Sequence, residues 1–313
     1  MSRSVVRRRR GRHFEWGLAL VAGLVAIGVL AGIGHGAPAP ATTARLAPVT
    51  DDTLFGRSGK LRARLLGATT GKLSLEYLAR LFGRTPDERP GIYQVQDSSA
   101  TRTLSLIRLL PFSQKRGAHI GTYTVGFWPG ERRAIGGAYA NPDGFIEVTR
   151  DNQDTRVSEH FRLRDFLTKD QRDVWPKYLV LREELIDKLE LVIAELERTG
   201  HPVERMVVMS GFRTPRYNAN GGSTGGRSDV SRHMYGDAAD VFVDNDGNGR
   251  MDDLNGDRRV DHRDARVILE AAERVERRHG DLVGGVGVYR AAAGHGPFAH
   301  IDVRGRRARW GLL

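Results

Sequence analysis

The chain contains no cysteine among its 313 residues. No disulfide can therefore hold the fold, although the composition remains compatible with an oxidising compartment. A structural zinc site is also disfavoured, because such sites are mostly rich in thiolates. Zinc in this protein would be held by imidazole and carboxylate groups, a ligand set more typical of catalytic sites.

Beyond its N-terminus the sequence carries only a small net charge for its length. Lys and Arg total 49 against 38 Asp and Glu, which gives a formal net charge of +11. Six arginines and one acid, Glu15, lie within residues 1–15, so about +6 is spread over the rest of the chain. Such a diffuse charge argues against a nucleic-acid partner and suits contact with anionic envelope polymers or lipid headgroups.

One long apolar run is present. Residues 16–34 carry no charge and can span the hydrocarbon core of a bilayer. The basic tail at 1–15 predicts a cytoplasmic N-terminus by the positive-inside bias. We therefore predict an uncleaved signal anchor in the inner or cytoplasmic membrane, crossing once, with the C-terminal domain in the periplasm or outside. A cleaved signal peptide is the alternative, but its apolar region is usually only about 7–15 residues long.

Two segments of different character follow the apolar run. Residues 35–88 predict a stalk rich in Ala, Pro and Thr and then short helices, because leucines recur at loosely helical spacing over 61–82. Residues 89–150 contain short β-rich runs separated by turn residues, which predicts a small antiparallel β module. Tyr123, Phe127 and Trp128 in this module are more typical of a core than of a glycan groove.

From residue 155 onward the pattern is that of an α+β domain. Residues 176–199 carry one apolar stripe at helical spacing and are followed by Gly200, which predicts a helix. A second amphipathic helix is predicted at 264–278. Short apolar runs predict buried strands, at 206–210, 241–243, 285–289 and 298–303.

A histidine and a carboxylate stand just before one of these strands. The stretch 231–244 reads SRHMYGDAADVFVD and places His233 and Asp240 ahead of the apolar residues 241–243. Catalytic zinc usually takes three protein ligands and keeps a fourth position for water, so a third ligand should lie elsewhere. His300, inside the run 298–303, is the best candidate. We therefore predict a zinc site formed by His233, Asp240 and His300.

The same residues resemble a known family. The motif SxHxxGxAxD at 231–240, the later pair His300 and Asp302, and the segment SGFRTPRYN at 210–218 are similar to motifs of the D-Ala-D-Ala carboxypeptidase group of zinc peptidases. The resemblance covers roughly residues 155–313. It implies a hedgehog/DD-peptidase-like catalytic domain, placed after the β module and the transmembrane helix.

The resemblance also implies roles for residues around the ligands. The arginine of the SGYR-like segment contacts substrate in the family, which predicts that role for Arg213. Arg216, three residues further on, is an alternative for the same role, and a structural ion pair is the alternative for Arg213. One branch of the family has its general base three residues before the last histidine ligand, where this chain has Pro297. Another branch uses a histidine five residues before it, which matches His295. We predict His295 as the general base, with water or Asp237 moving the proton as the alternative.

Two further residues are expected to support the ligands from behind. Asp302 follows His300 by two residues, so both side chains should lie on the same face of the strand. Its carboxylate is then expected to orient an imidazole by hydrogen bonding. Ser231 is expected to do the same.

Residues 244–264 place hard oxygen donors at alternate positions, which is the ligand pattern of calcium. Two overlapping EF-hand-like registers exist. The first uses Asp244, Asp246, Asn248 and Asp252, but its twelfth position is Asn255 instead of an acid. The second uses Asp253, Asn255, Asp257, Asp261 and Asp264. Its sixth position is Arg258 where glycine is expected, yet it resembles a dockerin-type loop and is our predicted calcium site. A solvated acidic turn is the alternative.

The resemblance implies an envelope-anchored zinc peptidase that hydrolyses peptide bonds of peptidoglycan stem peptides, as a D,D-carboxypeptidase or endopeptidase. A non-catalytic, metal-bearing protein that binds cell-wall peptides is the alternative, because the hedgehog-type fold can carry function without hydrolysis. A third hypothesis is a calcium-dependent surface protein in which the β module binds the partner. The sequence makes no prediction of oligomeric state.

Overall fold

The computed structural model describes residues 54–67, 89–96, 103–133, 135–221 and 228–311. The predicted basic tail at 1–15, the predicted membrane span at 16–34 and most of the predicted stalk lie outside these residues. Within the described ranges, no helix is long and apolar enough to cross a membrane.

Helices and strands are mixed along the described chain, which confirms the predicted α+β class. The strands are β1 (Ala63–Leu66), β2 (Gly91–Gln96), β3 (Thr103–Arg108), β4 (Leu110–Pro111), β5 (His119–Ile120), β6 (Tyr123–Thr124), β7 (Gly144–Val148), β8 (Lys177–Leu179), β9 (Met206–Ser210), β10 (Ala238–Val243), β11 (Gly285–Tyr289), β12 (Phe298–Asp302) and β13 (Ala308–Gly311). The α-helices are α1 (Glu183–Arg198), α2 (Pro215–Asn220) and α3 (His262–Arg278).

A five-stranded sheet forms the frame of the C-terminal part. Its order is β13-β11-β12-β10-β9, with β13 parallel to β11 and the other neighbours antiparallel. Helices α1 and α3 pack against each other, and α3 also packs on β11 and β12. Every residue of β10 is buried, which explains why that strand reads as an apolar run.

The helix predicted at 176–199 begins only at Glu183. Residues 177–179 form β8 instead, and this strand pairs with β7, with Leu179 opposite Ile146. Both side chains are fully buried. Tertiary pairing with β7 therefore decides the conformation of 177–179, although the helical spacing of apolar residues extends across it. The stripe on α1 is buried as expected, at Leu185, Leu189, Val192 and Leu196.

The first part of the segment predicted to form short helices is a strand. Residues 63–66 form β1, which runs parallel to β3. Leu61, Ala63 and Leu65 are buried, while Arg62 and Arg64 between them are only half-buried. This alternation has the period of a strand and was obscured by the leucines further along the chain. Residues 68–88 lie outside the described part.

Strands of the predicted β module share a core with the domain that follows. Strand β7 pairs with β4 on one side and with β8 on the other. Phe145 on β7 and Leu189 on α1 belong to one cluster of buried apolar residues. Tyr123 and Trp128 are buried in that cluster, whereas Phe127 is 43% exposed. The core interpretation therefore holds for two of the three aromatic residues considered.

Candidate metal centre

Two of the predicted zinc ligands lie opposite each other on neighbouring strands. Asp240 on β10 is the register partner of His300 on β12, so their side chains emerge on the same face of the sheet. The pairing of β10 with β9 shifts between Asp240 and Val241, an irregularity that can re-aim a side chain. His300 Nδ1 lies 2.9 Å from Asp240 Oδ1, and both residues are buried.

The third predicted ligand, His233, reaches this pair from a short 3-10 helix at Arg232–Tyr235. That helix ends at Gly236, which has a φ of +68°. A Cβ atom at Gly236 would lie 2.4 Å from the carbonyl oxygen of Val180, so the chain requires glycine there. His233 Nε2 consequently lies 3.2 Å from His300 Nδ1 and 3.3 Å from Asp240 Oδ1.

Hydrogen bonds behind the two imidazoles assign their tautomers. His233 Nδ1 lies 2.7 Å from the carbonyl oxygen of Gly211, and His300 Nε2 lies 3.1 Å from Asp302 Oδ2. Both oxygens only accept, so each of these nitrogens carries a hydrogen and donates it. His233 Nε2 is then left with a lone pair. His300 Nδ1 faces a second accepting oxygen, Asp240 Oδ1, so this nitrogen ligates a metal ion only after it has lost its hydrogen.

Three potential ligand atoms converge in one buried place. The ligand atoms of His233, Asp240 and His300 all lie within 4.8 Å of one another. A hydrogen on His300 Nδ1 or a metal ion satisfies atoms at such distances. Two imidazole nitrogens and one carboxylate oxygen, each imidazole oriented from behind, are the donor set and the support that catalytic zinc takes. The residues present fit that metal.

Electrostatics favour the protonation states that ligation needs at two of the three candidate ligands, His233 and Asp240. Burial lowers the pKa of His233. Burial acts to raise the pKa of the Asp240 carboxyl, but the two neighbouring imidazoles outweigh it and hold that pKa well below its usual value. Burial likewise opposes charge on His300, yet its hydrogen bonds to Asp240 and Asp302 raise its pKa. His233 is thus neutral and Asp240 ionised, as metal ligands must be.

Arg213 contacts the carboxylate ligand directly. Its Nε donates to Ser210 Oγ at 2.8 Å, and its Nη2 forms an ion pair with Asp240 Oδ2. Ser210 is the register partner of Asp240 in the pairing of β9 with β10. Arg213 therefore fixes one oxygen of Asp240 while Oδ1 faces the imidazoles. The structural ion pair given above as the alternative role of Arg213 is therefore present. A contact between Arg213 and the substrate stays a prediction.

The three candidate ligands line a cavity of about 560 Å³, whose walls also include Lys169, Arg213 and His295. A cavity of this size accommodates a small peptide or a comparable ligand. Its wall combines cationic side chains with aromatic ones, Tyr139, Tyr217 and Trp310 among them.

His295 lies in the loop between β11 and β12 and also lines the cavity. Its Nδ1 donates to the carbonyl oxygen of Gly296 at 2.8 Å, which leaves Nε2 as the basic nitrogen. The His295 ring packs edge-on against Phe298, with 5.1 Å between centroids. His295 thus lines the same cavity as the three candidate ligands, and its role as general base stays a prediction.

The alternative proton carrier lies elsewhere. Asp237 is fully buried and accepts a hydrogen bond from Arg232 Nε at 3.0 Å. It is absent from the described residues that line the cavity. Its ion pair with Arg232 supports the 3-10 helix that carries His233.

Asp302 makes the contact expected from its position two residues after His300. Besides His300, its carboxylate accepts from Gly285 N at 2.7 Å and from Arg304. Its backbone carbonyl accepts from the buried Lys188 Nζ at 2.8 Å. Ser231 lines the cavity just before the 3-10 helix, and its hydroxyl makes no capping bond to that helix.

Sequence reasoning missed Trp310 on β13. Its ring lies 5.0 Å from that of His300, and its Nε1 donates to the Tyr289 hydroxyl at 2.6 Å. Gly287 is the register partner of both His300 and Trp310, and a Cβ atom there would lie 2.4 Å from Trp310 Nε1. Two glycines inside the strand GVGVY were the available signal, because interior glycines mark a close approach by another group.

The predicted calcium residues form a compact loop ahead of α3. The buried Asp264 carboxylate accepts from Leu254 N, Asn255 N and Asp261 N. Arg258 has a φ of +65°, the conformation for which glycine was expected. Arg263 forms ion pairs of 2.8 Å with both Asp257 and Asp261. Calcium at Asp253, Asn255, Asp257, Asp261 and Asp264 stays a prediction.

Residues 159–273 match the model of the Peptidase M15 family. This confirms the resemblance to D-Ala-D-Ala carboxypeptidase-like enzymes for the C-terminal part of the chain. The matched segment includes Arg213, His233 and Asp240, and His300 follows it. The chain thus carries a metallopeptidase-type domain whose buried His–Asp–His group can hold a metal ion. No curated protein and no solved structure matches the chain.

Proposed function

We propose that this protein is a zinc peptidase that hydrolyses peptide bonds of peptidoglycan stem peptides, as a D,D-carboxypeptidase or endopeptidase. One observation carries the proposal. Two imidazole nitrogens and a carboxylate oxygen converge at the wall of a peptide-sized cavity. Two of these three residues, His233 and Asp240, lie within the Peptidase M15 match. A purely structural metal would not require a cavity at its ligands.

Zinc bound there would polarise the peptide carbonyl and activate a water molecule for attack. Side chains of the protein would carry out the proton transfers and bind the substrate. His295 Nε2 accepts the proton that the water loses and returns one to the leaving amine. Lys169 on the cavity wall supplies a positive charge, and the guanidinium groups of Arg213 and Arg304 beside it supply further donors, which suits a peptide with a terminal carboxylate. Asp302 keeps the hydrogen of His300 on Nε2 throughout.

The experiment is to incubate the purified full-length chain with muropeptides, with added zinc and after removal of zinc by a chelator. Product masses identify the bond that is cut. We expect hydrolysis only in the zinc-loaded sample, and none in a His233→Ala variant. A zinc-loaded protein that binds muropeptides without cutting them would instead support the non-catalytic alternative.

We also propose that the segment 16–34 anchors the protein in the inner or cytoplasmic membrane, with the C-terminal domain outside. The uncharged run behind an arginine-rich tail supports this orientation. Protease added to intact spheroplasts should digest the C-terminal domain and spare a short N-terminal fragment. If the domain is protected until the cells are lysed, the orientation is the opposite of the one proposed. If the domain is found only in the soluble fraction and not in the membrane fraction, a cleaved signal peptide is favoured.

A further inference from the structure

The loop that follows β10 gathers three carboxylates. Asp244, Asp246 and Asp252 each offer an oxygen, and these oxygens lie within 4.8 Å of one another. Oxygen ligands lie about 2.3–2.6 Å from a calcium ion, so two ligands of one ion are at most about 5 Å apart. The three carboxylates therefore have the spacing that a single calcium ion requires.

A second observation at the same place points to a ligand. Asp244 is fully buried, yet its Oδ1 has no hydrogen-bond partner among the described residues. Its other oxygen, Oδ2, accepts from Gly249 N at 3.1 Å and lies 3.4 Å from Arg205 Nη2. A buried carboxylate oxygen without a partner is unfavourable, and a cation in the loop supplies the missing interaction.

The donor chemistry selects the metal. Every candidate ligand in this loop is an oxygen, and Asn248 adds an amide oxygen at the next alternate position after Asp246. Hard oxygen donors without imidazole favour calcium over zinc. Gly249, at the sixth position from Asp244, has the φ of +80° that a sharp turn between such ligands needs.

The neighbouring register is less suited to a cation. Its buried acid, Asp264, has both oxygens occupied by backbone N–H groups. Arg263 supplies a positive charge to both Asp257 and Asp261 at 2.8 Å, whereas Arg205 lies 3.4 Å from one oxygen of Asp244 and leaves the other oxygen open. We therefore propose that one calcium ion binds between Asp244, Asp246 and Asp252, and that the site lies in the first register and not in the one predicted from sequence.

This site is joined to the candidate metal centre through β10. Asp244 N donates to the carbonyl oxygen of Arg205 at 3.0 Å, and Asp252 N donates to that of Val243 at 2.9 Å. The loop thus closes the end of the strand that carries Asp240. Calcium binding should stabilise this end of the sheet and raise the thermal midpoint of the protein without entering the peptide cavity.

The test is calorimetric titration of calcium chloride into the zinc-loaded full-length chain. We expect one calcium site with a Kd of about 1 mM or tighter. Binding should be lost in Asp244→Asn and in Asp246→Asn. Because Asp244 is buried, its replacement can prevent folding; Asp246 is exposed, so Asp246→Asn tests the site in a folded protein.

Asp257→Asn is the matched control, since it makes the same chemical change in the adjoining register. It should leave calcium affinity unchanged, and zinc content should be full in both Asp246→Asn and Asp257→Asn. The proposal is overturned if wild type shows no calcium binding at millimolar concentrations. Loss of binding in Asp257→Asn with retention in Asp246→Asn overturns it equally, as does magnesium binding of equal strength.

Discussion

Replacing Asp302 with asparagine tests how His300 is prepared to bind a metal ion. In the wild type, Asp302 Oδ2 accepts from His300 Nε2 at 3.1 Å while Oδ1 accepts from Gly285 N at 2.7 Å. Asparagine keeps one acceptor oxygen, and Gly285 N continues to require it. The amide nitrogen then faces His300 Nε2. Because two donors cannot face each other, His300 must move its hydrogen to Nδ1, the atom that faces Asp240.

The size of the effect follows from burial. Removing such a partner behind a metal-bound histidine typically costs 10- to 100-fold in metal affinity, about 1.4–2.7 kcal/mol. Asp302 is fully buried, so water cannot replace the lost acceptor. We therefore expect zinc affinity to fall by nearly 100-fold.

Zinc affinity is measured by competition with a chromophoric chelator near neutral pH, and folding is checked by circular dichroism on the metal-free protein. Asp187→Asn is the matched control. Asp187 is also a buried carboxylate that accepts from backbone N–H groups, those of Arg57 and Ser58, but it contacts none of the proposed ligands. Wild-type zinc affinity in a folded Asp302→Asn protein would refute the tautomer argument.

Three other predictions concern the base, a buried charge and pH. His295→Ala should keep zinc and lower kcat by roughly 10²–10⁴-fold, and near-normal turnover in zinc-loaded protein would assign the base elsewhere. Lys188 is fully buried and ion-paired, so Lys188→Ala should lower the free energy of unfolding in urea by about 3–5 kcal/mol. The exposed control Arg266→Ala should cost less than about 1 kcal/mol, and equal losses would contradict this. A hydrogen bond to Glu190 raises the pKa of His160 above 6.5, so its stabilisation is complete below pH 6.5 and is lost as pH rises through the raised value. The stability difference between wild type and His160→Gln should therefore shrink above pH 6.5; a constant difference would contradict it.

Much of the local structure is determined by the sequence alone. The runs 206–210 and 285–289 form strands with the predicted bounds. Strand β11 is buried as expected, whereas β9 lies at the edge of the sheet and only its Met206 is buried. The amphipathic helix predicted at 264–278 is present as α3, which begins at His262. His233 and Asp240 were recognisable because a few residues of chain carry both the turn and the strand that position them.

Only the tertiary structure decides the contacts between distant residues. Asp240 meets His300 because β10 pairs with β12 in one particular register, and no local signal specifies the register of strands sixty residues apart. The same holds for the ion pair of Arg213 with Asp240 and for the ring of Trp310 beside His300. Residues 177–179 are a strand for the same reason, since their pairing with β7 outweighs a helical pattern. Local spacing determines which residues share a face, but burial and backbone pairing across the fold determine which faces meet.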